Sequence, residues 1–124
     1  MLNRVKGALF GTAAQMSEDD LAKYDRLFFE GEEVLAGFKV VRDSFLFTSR
    51  RLIIEDVQGV TGKKREYLSI PYSKISGFSV ESSGHFDMDA ELKIWVSGLT
   101  EPVSKKFDKN TDIYQIQAII AANS

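Results

Sequence analysis

Residues 44–57, SFLFTSRRLIIEDV, decide how this chain is read. Phe45 and Phe47 fall on one side of an extended segment and Leu46 on the other, and Leu52 and Ile54 likewise oppose Ile53. That is the period of two that a strand imposes on its side chains. Ser49-Arg50 divides the two runs, so the stretch predicts a tight hairpin. Both of its faces carry apolar groups, which means that something must cover the side turned away from the core.

Working outward, the same punctuation continues in both directions. Val34 to Val41 forms a preceding strand, separated by Arg42-Asp43. The Gly59-Val60-Thr61-Gly62 turn leads into a strand over Arg65 to Ile70, which Pro71 ends because it has no N–H to give to a ladder. Lys74 to Glu81 resumes, and after a polar loop from Gly84 to Asp89 come Glu91 to Val96 and Val103 to Phe107, with Gly98 and Pro102 at the turn between them. Seven short strands result. The period then changes: Asp112 with Gln115 suits a helix start, and Ile113, Ile116 and Ile120 share one face of a closing helix that runs to about Ala122.

The first thirty-one residues are helical in pattern. Leu2, Val5, Leu9 and Ala13 recur at helical spacing, and a second helix begins at Ser17, whose partner Asp20 completes a capping box. Leu21, Tyr24 and Phe28 follow on one stripe, and Gly31 ends it. The expected division is therefore a helical extension over 1–31 and a β domain over 32–124.

With 124 residues, 44% of them hydrophobic and 27% charged, the chain suits one folded domain and not a disordered segment. A formal net charge of −2 supplies no field that would gather it onto a polyanion, so nucleic acid is not an expected partner. Without cysteine there is no disulfide, thiolate metal site or thiol chemistry, which fits a reducing, cytoplasmic setting. Gly7 to Met16 follows Arg4 and Lys6 but holds only Leu9 and Phe10 as strongly apolar residues, too few for a signal peptide.

Motifs that suggest chemistry fall short on inspection. Gly59-Val60-Thr61-Gly62-Lys63-Lys64 has two residues between its glycines where a phosphate loop has four, and a strand follows it. Asp87, Asp89 and Glu91 alternate like the start of a calcium loop, but Leu92 occupies its glycine position and Gly98 its glutamate position. His85 is the single histidine, so a zinc site or a catalytic triad has no second imidazole or thiol to draw on. No catalytic, cofactor or metal residue is assigned, and no enzyme activity is expected. Arg50, Arg51, Lys63, Lys64 and Arg65 are candidates for an anion patch if adjacent hairpins bring them to one end of the sheet.

Arg42-Asp43, Thr48-Ser49-Arg50-Arg51-Leu52-Ile53, Asp56, Gly59, Thr61-Gly62-Lys63-Lys64 and Ser69-Ile70-Pro71-Tyr72 together resemble the bacterial pleckstrin-homology domain family, over about Leu27 to Ile120. The resemblance implies a mainly β fold: a seven-stranded antiparallel, partly open barrel capped by a C-terminal helix. It also implies assembly, since single-domain members resemble cyclic rings of about five subunits. Eukaryotic pleckstrin-homology domains bind phosphoinositides through several basic residues around the first hairpin. This chain offers only Lys39 and Arg42 there, beside Asp43, so that property does not carry over. The expected function is a non-catalytic homo-oligomeric scaffold for protein–protein contact, with Arg42, Asp43, Thr48, Arg51, Asp56 and Trp95 as candidate surface residues. A peripheral membrane adaptor acting through the anion patch is the alternative.

Overall fold

A computed structural model describes residues 16–40, 42–82, 90–107 and 111–124. The helix expected around Leu2 to Ala13, the loop residues His85, Asp87 and Asp89, and Val41 lie outside the described residues. Helix α1, Glu18–Ala22, opens on the capping box: the Ser17 side chain accepts the Asp20 amide and the Asp20 carboxylate accepts the Ser17 amide. It is shorter than its sequence stripe suggests. After five residues it gives way to a 3₁₀ turn over Asp25–Leu27. The reason is tertiary: Tyr24 and Phe28 are anchored at separate points on the sheet beneath, and so short a helix has little cooperativity of its own to resist that pull.

Seven strands follow, β1 Val34–Val40, β2 Asp43–Thr48, β3 Arg51–Gln58, β4 Lys64–Pro71, β5 Ile75–Ser82, β6 Ala90–Val96 and β7 Val103–Phe107, and helix α2, Ile113–Asn123, closes the chain. They form two antiparallel meanders, one ordered β1-β2-β3-β4 and the other β5-β6-β7, packed as a partly open barrel. The deciding hairpin pairs Phe45 with Ile54, Leu46 with Ile53 and Phe47 with Leu52.

Phe38, Phe45, Phe47, Leu52, Ile54, Ile70, Leu92, Ile94 and Phe107 fill the space between the sheets, where Ile113, Ile116 and Ile120 of α2 seal the open side. Phe45 and Phe107 meet edge to face at 5.3 Å, an arrangement that aligns the ring edge of one with the electron-rich face of the other. The N-cap of α2 is Asp112, whose side chain accepts the Gln115 amide.

The opposite face of the first sheet holds a second, smaller apolar cluster. Met16, Leu21 and Phe28 lie over Val34, Leu46 and Ile53. A register shift between Val34 and Ala36 lets Val34 face this cluster while Ala36, Phe38 and Val40 face the main core. Gly37 permits the close approach: a Cβ there would sit 2.6 Å from Leu21 Cδ2 and 3.0 Å from Met16 Sδ. The outward Leu46 and Ile53 are thus covered by the chain's own residues.

Candidate interaction surface

The two polar ends of that covered face are built around buried carboxylates. At one end Glu32, 1% exposed, receives both Nε and Nη2 of Arg51, at 2.9 and 3.0 Å, on different oxygens. The fork geometry of guanidinium suits a bidentate carboxylate contact. Arg51 Nη2 also donates to the Leu27 carbonyl at 2.6 Å and Nη1 to Ser69 Oγ at 2.9 Å, so one side chain ties the segment before β1 to β3 and β4. Thr48, fully buried, donates to Glu32 Oε2 at 2.7 Å and accepts the amides of Arg50 and Arg51, which shapes the β2–β3 turn. Tyr72 donates to the Thr48 carbonyl at 2.7 Å, and its phenol is pushed up by burial. Burial also pushes the Glu32 carboxyl up, but the bonds from Arg51, Thr48 and the Phe29 amide outweigh it and hold the group below the usual carboxylate range.

At the other end Glu55, 2% exposed, receives Tyr24 OH at 2.7 Å, Arg65 Nη1 at 2.7 Å and Tyr67 OH at 3.3 Å. Burial raises its pKa and the bonds from Tyr24, Arg65 and Ser44 lower it further than burial raises it. Burial also pushes the Tyr24 phenol up to about 12. The two sheets are joined by a third pair: Asp43 Oδ2 meets Lys105 Nζ at 2.9 Å while its Oδ1 accepts the Val57 amide. Burial opposes the ionised Asp43, yet Lys105 and the Val57 amide keep its pKa below the ordinary value.

The candidate residues therefore divide by role. Thr48, Arg51 and Asp43 are internal braces. Arg42 stitches the β3–β4 turn, donating to the carbonyls of Val57 at 3.3 Å and Gly59 at 2.6 Å. Asp56, half-buried, accepts the Gln58 amide group at 3.3 Å. Trp95 alone of this set presents apolar surface to solvent, being 42% exposed. It stands on the outer face of β6, the central strand of the second sheet, opposite Gly77, whose missing side chain leaves its ring flank bare. Lys93, paired with Ser79 and Ser104, and Glu91, which accepts from Ser104, share that face.

The anion patch does not assemble as expected. Arg51 is opposite Pro71 and Gln58 is opposite Lys64, so Arg50 and Arg51 sit at one end of β3 and Lys63, Lys64 and Arg65 at the other. From the first to the last of eight residues, a rise of about 3.3 Å per step separates them by ~23 Å. Successive hairpins of a meander turn at alternate ends, and that geometry overrides proximity in sequence. Arg51 and Arg65 are moreover engaged by Glu32 and Glu55.

Glu32, Tyr67 and Lys105 carry no motif in the sequence, and Tyr24 enters there only as one residue of a helical stripe. Glu55 carried a signal: it shares its face with Ile53, so a carboxylate was being placed beside a covered apolar residue. Among the described residues no group of three or more His, Asp or Glu side chains is arranged to hold a metal ion. No helix among them is long and apolar enough to cross a membrane.

Residues 5–124 match the bacterial PH domain family. The chain belongs to the bacterial pleckstrin-homology domain family. It is 52% identical over 119 residues to the uncharacterised protein YjqA of Bacillus subtilis (strain 168), covering 92% of this chain and 93% of that protein. Among solved structures, it resembles a DUF1696 family protein with a pleckstrin-homology domain from Shewanella loihica PV-4, at TM-score 0.81 and 46% identity, covering 93% of this chain and 99% of the other. A pleckstrin-homology domain from Shewanella amazonensis SB2B follows, at TM-score 0.77 and 48% identity, with 91% and 92% covered. The Thr48–Arg51 motif that first suggested this family is, in this pleckstrin-homology domain, the hub of the Glu32 brace.

Proposed function

We propose that this pleckstrin-homology domain is a non-catalytic, cytoplasmic scaffold that assembles with copies of itself, in a ring of about five, and presents the assembly to a protein partner. The observation that carries the reading is the exposed Trp95 on the outer face of the second sheet. The first sheet's outward apolar residues are covered by Met16, Leu21 and Phe28, whereas no described residue packs over Trp95 as they do. A large aromatic surrounded by Lys93, Ser79 and Ser104 has the composition of an interface centre with a polar rim.

Light scattering behind a sizing column tests it. A stable multiple of 13.9 kDa is expected for the parent chain, and a smaller mass with unchanged circular dichroism for Trp95→Glu. A monomeric parent refutes the assembly. A Trp95→Glu variant that assembles normally moves the interface elsewhere. The alternative reading, an adaptor on anionic membranes, has no single basic patch to support it, and binding of anionic vesicles at low salt by Lys63 and Lys64 alone is what would restore it.

A further inference from the structure

The sheet edges differ in how they are closed. At β1 the register shifts near Val34, the Met16 amide donates to the Gly37 carbonyl at 2.8 Å, and β7 lies alongside. β7 has five residues and shares that contact, while β5 carries a register shift between Ile75 and Gly77 and lies under α2. β4 has none of these protections. It is eight residues long, pairs with β3 at every position from Pro71 to Lys64, and is the outermost strand of its sheet. No backbone hydrogen bond joins its far edge to another segment of the described chain.

Natural sheets blunt such an edge with bulges, prolines or charges, because its unpaired N–H and C=O groups are a template for another strand. Here Lys64, Arg65 and Glu66 put charge on one end and Pro71 closes the other, which leaves Tyr67 to Ile70 without either device. In that span Tyr67 presents a ring 43% exposed on the outer face. The end near the β3–β4 turn has cations to spare. Lys63 and Lys64 are exposed and form no ion pair among the described residues, and Arg42 beside the same turn donates only to carbonyls. These three cations face two acids that keep their charge, Asp56, which accepts from the neutral Gln58 amide, and Glu66, while Glu55 is paired with Arg65.

We propose that the open edge of β4 binds an extended segment of a partner protein that adds as a fifth strand to the first sheet and places acidic residues against Lys63 and Lys64. The inference rests on the reading of the chain as an interaction module and gives that partner a chemistry. Main-chain bonds would supply the affinity, and the charged end the register. A second copy fits less well. Antiparallel self-pairing about Tyr67 would set Lys64 opposite Ile70 and Lys63 opposite Pro71, so that neither lysine gains a counter-charge.

Amide hydrogen exchange, read residue by residue, tests the proposal with two synthetic probes, Thr-Val-Thr-Val-Thr-Glu-Glu and its reverse, which place the acids for antiparallel and parallel addition. At ten times its dissociation constant either peptide should slow exchange of alternate β4 amides about tenfold. The double variant Lys63→Glu/Lys64→Glu, whose two sites are exposed, should bind about tenfold more weakly at low salt, with the gap closing as salt rises. Absence of protection, or protection in another strand, overturns the inference, and equal binding by the charge-reversed variant overturns the acidic character of the partner. Exchange in β4 that is already slow without peptide and quickens on dilution assigns the edge to a second copy and overturns it too. The oligomer is judged separately by native mass: a monomer that still shows β4 protection by peptide removes the ring and leaves this site standing.

Discussion

Arg51→Ala should be among the costliest changes to the stability of this domain, even though Arg51 lies partly at the surface. Its guanidinium contacts both oxygens of Glu32, the Leu27 carbonyl and Ser69, and the Glu32 side chain it serves is wholly shielded from solvent while Arg51 keeps 24% of its own side chain exposed. Removing one partner of a buried pair costs 3–5 kcal/mol because the other charge stays behind unpaired, and partial access of water to the Arg51 side places this case near ~3 kcal/mol. For a chain of this length that lowers the melting midpoint by on the order of 10 °C. Urea and thermal unfolding of Arg51→Ala, followed by circular dichroism, measure it. A double-mutant cycle of Glu32→Gln with Arg51→Met isolates the pair, and a coupling of at least ~1 kcal/mol is expected. Arg51→Lys should recover only part of the loss, since an ammonium group offers no bidentate fork. A cost for Arg51→Ala below ~1 kcal/mol, or a coupling near zero, would refute the bracing role.

Other expected outcomes concern the covered face and its ionised groups. Gly37→Val, whose Cβ would fall 2.6 Å from Leu21 Cδ2, should lift residues 16–28 from the sheet at a cost of about 1–3 kcal/mol, read as faster proteolysis near Ala22 with the strands intact. Because Glu32, Glu55 and Asp43 all have folded pKa values below their ordinary ones, their contribution is fully present above the unfolded values of 4.5 and 3.8 and is lost as pH falls through the depressed folded values. Unfolding free energy should hence stay level from neutral pH to about 5 and decline below it, and Glu32→Gln should flatten that decline. Tyr24 has the opposite sign: with its folded pKa raised from 10.0 to about 12, its share is lost as pH rises through that interval, and Tyr24→Phe should weaken the alkaline limb.

Much of the architecture was legible in the chain because it is governed by local periodicity. Alternation in 44–57, turn residues at Arg42-Asp43 and Gly59 to Gly62, and the isoleucine stripe before Ala122 each act within a few residues, and every strand expected from them is present. The Ser17–Asp20 cap was equally local and is formed. What failed was what depends on direction through space. The basic residues at 50–51 and 63–65 are near in sequence, but an eight-residue strand carries them to opposite ends.

The amino-acid sequence by itself determined the seven strands, the closing helix and the presence of apolar side chains on both faces of the first sheet, since these follow from side-chain period and backbone restrictions that need no distant partner. Only the tertiary structure decided what those outward residues meet. Leu46 and Ile53 are covered by Leu21 and Phe28, Arg51 crosses to Glu32 and Asp43 reaches Lys105, sixty-two residues away. Burial and ion pairing are properties of where strands lie in relation to one another, and the same packing leaves Trp95 and the edge of β4 open.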